Sequence, residues 1–144
     1  MSKQKKDLAN PIPPRAAGLA SQSSWITRDC KRYAGVQLIV DMWGAERIDD
    51  PTHVEHTLVE AAEAAGATLL QVHTHHFESS GGVSCVILLT NSHISVHTWP
   101  ECGYAAFDMF MCGDTEPHKA IEVLTHVFVP KTVDVTELLR GGLE

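Results

Sequence analysis

The sequence predicts an α+β fold, a mainly antiparallel sheet with helices on one face. Three observations lead there. Strand-type patterns cluster along the chain, at 33–43, 67–77, 83–90, the stretch up to Cys112, and 132–139. Helical patterns occur once in each half, which suits a sheet layered against helices rather than alternating βαβ units. Finally, only Asn91 and Ser92 separate the two strongest strand patterns, a link short enough for an antiparallel hairpin alone.

Taken in order, Met1 to Ser24 are rich in Lys, Pro, Ala and Ser and read as a disordered arm, residues 1–24. Residues 25–144 are enough for one compact domain with a core. Tyr33 to Trp43 carries Val36, Leu38, Ile39 and Val40 and reads as a strand. Asp49-Asp50-Pro51 then starts a helix, with an Asp as cap and Pro51 at the first helical position. Val54, Leu58, Ala61, Ala62 and Ala65 recur at helical spacing, and Gly66 ends the run. Ala67–Phe77 and Val83–Thr90 read as strands. Asp114 or Thr115, followed by Pro117, starts a second helix with Ala120, Val123, Leu124 and Val127 on one face. Thr132–Leu139 is the last strand.

Composition narrows the function classes. The formal charge of -7 argues against a broad nucleic-acid footprint and remains compatible with a small cationic ligand. No apolar run reaches membrane-spanning length. Cys30, Cys85, Cys102 and Cys112 contain no Cys-x-x-Cys pair, and no secretory signal is visible. A cytoplasmic protein with reduced thiols, no nucleic-acid partner and no membrane partner is expected.

The centre of the chain carries the chemistry. With Asn91-Ser92 as a two-residue loop, Thr90 pairs with His93, Val86 with His97 and Ser84 with Trp99, so Ser84 and His97 become diagonal neighbours on one face. A turn at Pro100–Gly103 pairs His97 with Ala106 and returns Cys112 beside Asn91 and Ser92. This pairing would gather Ser84, Ser92, His97 and Cys112, and a one-residue slip would move a member to the other face. Cys85 should face away from Ser84, into the core.

A serine in a strained turn can attack the carbonyl before it. Ser92 Oγ attacking Asn91 turns the amide into an ester through an oxyanion that needs a donor. Removal of the Ser92 α-proton breaks the ester by elimination, and hydrolysis leaves a pyruvoyl end and ammonia. The chain becomes 1–91 and 92–144. His97 is the natural proton handler and Ser84 a donor to the intermediate. A pyruvoyl ketone forms a Schiff base with a substrate amine and accepts electrons as carbon dioxide leaves, with no pyridoxal phosphate and no metal. Cys112 is the candidate proton donor to the product.

The stretch Ser-His-Ile-Ser-Val-His-Thr-Trp-Pro-Glu (92–101), then Gly-Tyr-Ala-Ala-Phe-Asp (103–108) and Cys-Gly (112–113), closely resembles the prokaryotic-type, self-cleaving S-adenosylmethionine decarboxylases. The likeness extends through Thr57–Ala62, Ala65–Thr68, His76-Phe77, Gly82–Ser84 and Pro130-Lys131. It implies that Ser92 is the cleaved serine and that Ser84, His97 and Cys112 hold the roles above. It also implies an adenosine site, with Phe77 stacking on adenine, Glu101 accepting the ribose hydroxyls and Trp99 close by. It further implies a two-layer α/β sandwich and a homodimer of cleaved protomers with active sites at the interface. The expected activity is decarboxylation of S-adenosylmethionine, supplying the aminopropyl donor for spermidine synthesis. One departure stands out, because the family usually has Glu where this chain has Asn91.

Two alternatives stay open at this level. The same scaffold would serve a pyruvoyl-dependent decarboxylase of arginine or ornithine, or an uncleaved regulatory homologue without catalysis. His73, His75 and His76 also invite a metal site, but no second ligand pair has suitable spacing.

Overall fold

The computed structural model describes residues 25–143; the expected arm at 1–24 lies outside them. Two antiparallel arrangements are present. A small hairpin pairs β1 (Ile26–Arg28) with β2 (Lys31–Tyr33), and a six-stranded sheet runs in the order β4-β5-β6-β7-β3-β8. Its strands are β3 (Gly35–Trp43), β4 (Leu69–His76), β5 (Val83–Leu89), β6 (Ser92–Trp99), β7 (Tyr104–Met111) and β8 (Thr132–Arg140). Helices α1 (Pro51–Ala64) and α2 (Pro117–Phe128) pack on one face, giving the α+β sandwich that the sequence predicts.

Alternation builds the core. Leu38, Val40 and Met42 of β3, Ile87 and Leu89 of β5, Ile94 and Val96 of β6, and Phe107, Met109 and Met111 of β7 point to the helices and are buried. Leu58 of α1 and Leu124 and Phe128 of α2 meet them. Burying one such side chain is worth about 1.5–3 kcal/mol, so the sum of these contacts dictates which face each strand turns inward. Among the described residues, no layer covers the opposite face. Ile39, Trp43, Val86, Leu88, Trp99 and Leu138 there are each more than 40% exposed.

The first helix begins as expected. Asp50 caps it by accepting a hydrogen bond from the His53 backbone N–H at 3.1 Å, and that bond holds the Asp50 carboxyl below its ordinary range. The second helix differs. Its N-cap is Glu116, without a side-chain cap, while Thr115 donates to the Cys112 carbonyl at 2.9 Å. The β1–β2 hairpin was not anticipated. Its loop residues Asp29 and Cys30 both take positive φ (49° and 63°) without a glycine to announce the turn.

Candidate active site

The central hairpin is offset from the expected one. Leu89 faces Ser92, so Thr90 and Asn91 form the loop and Ser92 is the first residue of β6. Asn91 takes the left-handed conformation (φ 55°) as second loop residue, leaving Ser92 free to enter the ladder. The predicted pairs Thr90–His93, Val86–His97 and Ser84–Trp99 are therefore corrected to Leu89–Ser92, Val86–Ser95 and Ser84–His97. Moving the loop by one residue changes each pairing by two positions, so Ser84 and His97 keep the common face expected of them, whereas Cys112, expected on that face too, is buried beside Ser92 instead. Ser84 becomes the direct partner of His97 instead of its diagonal neighbour. The second hairpin pairs His97 with Ala106 as expected.

Two clusters result. In the first, Ser84 Oγ and His97 Nδ1 are hydrogen-bonded at 2.7 Å on the uncovered face. Thr98, buried on the other face, anchors this end of the hairpin. It accepts from the Val83 N–H at 2.9 Å and donates to the Ile48 carbonyl at 2.8 Å. Ser84 and His97 share a cavity of about 340 Å³ with Phe77, Trp99 and Glu101. Glu101 sits in the short 3-10 turn Pro100–Cys102. Gly103 closes that turn at φ 66° and packs so tightly on Gly44 that a Cβ would lie 3.2 Å from the Gly44 Cα. The Ala45 N–H donates to the Gly103 carbonyl at 2.9 Å, tying the Glu101 turn to the end of β3.

In the second cluster, Ser92 and Cys112 are buried together at the far end of β6. Ser92 Oγ lies 3.6 Å from Cys112 Sγ and accepts from the Cys112 backbone N–H at 3.3 Å. The Cys112 thiol donates to the Asn91 carbonyl at 3.2 Å. A donor thus already rests on the oxygen where an oxyanion would develop if Ser92 attacked Asn91.

Pairing does not gather all four residues within one chain. Ser92 and His97 are five residues apart on one strand, roughly 16 Å at the usual rise. An odd separation also turns them to opposite faces: Ser92 goes toward the helices and His97 away from them. The sequence expectation failed here because it followed hairpin pairs across strands and neglected distance along β6.

Other members fall as follows. Cys85 is buried in the core opposite to Ser84, as expected, and burial pushes its thiol up, out of reactive range. Trp99 stacks on Tyr104 at 5.2 Å, and Tyr104 on Trp43 at 4.3 Å, giving an aromatic shelf beside the cavity. The Tyr104 hydroxyl donates to the Asp41 carboxylate, which pushes the Tyr104 pKa from its ordinary 10.0 to about 12. This shelf went unnoticed in the sequence, although Trp43 and Tyr104 fall on one face by simple alternation across β3 and β7. His73 and His75 share the uncovered face, but among the described residues no three His, Cys, Asp or Glu side chains converge on a metal position. No described helix is long and apolar enough to cross a membrane.

The S-adenosylmethionine decarboxylase family profile matches residues 36–141. The chain belongs to that family. It is 45% identical over 116 residues to the S-adenosylmethionine decarboxylase proenzyme of Methanococcus maripaludis, an alignment covering 78% of this chain and 94% of the relative. It is 43% identical over 108 residues to the corresponding proenzyme of Thermomicrobium roseum, covering 74% and 93%. The crystal structure of the adenosylmethionine decarboxylase from Aquifex aeolicus superposes with a TM-score of 0.69 at 31% identity, over 76% of this chain and 92% of that one. Each match spans nearly the whole relative, so the family likeness covers the complete sandwich and both clusters.

Proposed function

We propose that this chain is a proenzyme that cuts itself between Asn91 and Ser92 and then decarboxylates S-adenosylmethionine with the pyruvoyl group so formed. The observation that carries this reading is the Ser92–Cys112–Asn91 arrangement. The nucleophile, its carbonyl and a donor to that carbonyl are already together in the uncut chain. A buried serine of purely structural purpose would need one hydrogen bond, and this one sits against a thiol that bonds its scissile carbonyl.

In processing, Ser92 Oγ forms a bond to the Asn91 carbon, the Cys112 thiol steadies the oxyanion, and the C–N bond breaks as the hydroxyl proton passes to the Ser92 nitrogen, leaving an ester and a free amine. His97 is the base for the Ser92 α-proton, and Ser84 fixes its ring through Nδ1, leaving Nε2 for the proton. The residues suit the cofactor, since Ser92 is its precursor and the Cys112 thiol stands beside it as an acid. Once formed, the pyruvoyl carbonyl supplies the electron sink for loss of carbon dioxide from an amine-bearing substrate. Cys112, beside it, returns the proton to the product.

The distance between the clusters supports a homodimer in which each site is shared. Ser92 and Cys112 of one protomer would meet Ser84, His97, Phe77, Trp99 and Glu101 of its partner. The uncovered sheet face, rich in exposed apolar side chains, would supply the contact area, and the partner would reach Ser92 and Cys112 at the end of β6, beside the exposed Thr90-Asn91 loop. Phe77 and Glu101, on the walls of one cavity, are the adenine and ribose contacts. An aromatic ring beside a carboxylate in that cavity suits a base and its ribose, which favours S-adenosylmethionine over arginine or ornithine, neither of which has a base to stack. Product release would supply aminopropyl groups to spermidine synthesis.

Denaturing mass measurement tests the reading. The wild type should give fragments 1–91 and 92–144, with the second reactive toward borohydride. Ser92→Ala should remain whole and inactive. An intact wild-type chain with full decarboxylase activity would refute the pyruvoyl route.

A further inference from the structure

The histidines at 73, 75 and 76 form the one sequence motif that neither the fold nor the reaction above uses. His75 is singled out by where it lies. It pairs with Ser84 across β4 and β5, and Ser84 pairs with His97, so the three stand in one row on the uncovered face. Its imidazole meets the Phe77 ring edge-to-face, with centroids 4.5 Å apart and planes at 71°. We propose that His75 is a positioning residue for Phe77, holding that ring in the orientation that receives the adenine of the substrate. The proposal rests on the reading of the Phe77–Glu101 cavity given above.

The reason is mechanical. Phe77 follows the last residue of β4, an edge strand, and its backbone is well fixed. Its N–H donates to the Gly82 carbonyl at 2.8 Å, and its carbonyl accepts from the N–H groups of Gly81 at 2.7 Å and Ser80 at 3.2 Å. These bonds set the Cα–Cβ direction and leave the side-chain torsions free. The core does not set them either, because Phe77 is 46% exposed. Gly82 and His75 flank the ring. A Cβ at Gly82 would stand 3.9 Å from Cδ2, so that side has room, and His75 supplies the aromatic contact. An edge-to-face pair occupies at most one face of Phe77, leaving at least one for stacking on a flat base. A ring already oriented before binding loses less freedom when the ligand arrives, which lowers the cost of association. An aliphatic side chain at 75 would fill the space without defining the ring's angle.

His75 is exposed in the single protomer and at a sheet edge, so replacing it should leave the protomer's folding intact. KM and kcat for S-adenosylmethionine, together with the fraction of chain cut before Ser92, are measured for wild type, His75→Ala, His75→Leu, His75→Phe and His73→Ala. His75→Ala and His75→Leu should raise KM about two- to tenfold, the range expected for losing one aromatic pair, with kcat and cleavage within about twofold of wild type. His75→Phe, which retains an aromatic edge, should restore KM. His73→Ala should behave as wild type, since His73 pairs with Val86, one row away. Unchanged KM in His75→Ala and His75→Leu would overturn the proposal. So would a matching fall in kcat or cleavage, which would make His75 part of the Ser84–His97 chemistry instead. A KM in His75→Phe as high as in His75→Ala would overturn it as well. Wild type that is cut but does not turn over S-adenosylmethionine overturns the underlying substrate reading, and that result appears in the wild-type arm alone.

Discussion

Co-expressing Ser92→Ala and His97→Ala chains tests how the two clusters work together. Within a protomer they lie roughly 16 Å apart along β6, so Ser92 cannot be served by the His97 of its own chain without breaking the strand. Each variant expressed alone should stay uncut. In a two-fold dimer that pairs at random, about half of the dimers are mixed. Each mixed dimer has one site with Ser92 from the His97→Ala chain and His97 from the Ser92→Ala chain, and a second site with neither. About one quarter of wild-type sites should therefore return, with about half of the His97→Ala chains cut. Tagging the two chains differently and weighing them under denaturing conditions reads the cleavage, and labelled carbon dioxide reads the activity. No cutting in the mixture, with mixed dimers demonstrated by their tags, would refute the shared site. Cutting confined to the Ser92→Ala chain would refute Ser92 as nucleophile.

Three further outcomes follow from the geometry. Glu101→Gln should raise KM for S-adenosylmethionine about tenfold, the low end of a charge-assisted hydrogen bond because Glu101 is exposed, and leave cleavage unaffected; an unchanged KM in steady-state assays would remove it from ribose binding. Cys112→Ala should slow self-cleavage about tenfold, below the roughly 10²–10³-fold of a strong oxyanion donor because a thiol donates weakly, yet cut decarboxylation of the mature enzyme about a hundredfold or more through loss of its acid; equal effects in single-turnover experiments would contradict the two separate roles. Tyr104, whose pKa is raised to about 12 by Asp41, contributes stability that is fully present below pH 10 and lost as pH rises toward 12. Tyr104→Phe should accordingly flatten the unfolding curve across that alkaline window, and a wild-type slope kept in the variant would show that another group is responsible.

Much of this protein is legible in its sequence because the signals are local. Pro51 with Asp50, and Gly66, delimit α1 through capping and left-handed backbone that require no partner element. Alternation assigns Cys85 to the core and Ser84 to the other face, and the short link at Asn91 makes the hairpin antiparallel. The contiguous motif from Ser92 to Cys112 carries the family and the residue types of its chemistry. What the tertiary structure alone decided is long-range or cumulative. The order β7-β3-β8 joins strands far apart in sequence, and no local pattern encodes it. The β1–β2 hairpin, charged and without glycine in its loop, has too weak a pattern to register. Whether Asn91 sits first or second in its loop depends on which register buries more of both strands, a tertiary sum rather than a turn preference. That same ladder stretches Ser92 and His97 to opposite ends and faces of β6. The residues of the site can thus be read from the chain, but their separation follows from a strand that gains 3.2–3.4 Å with every residue.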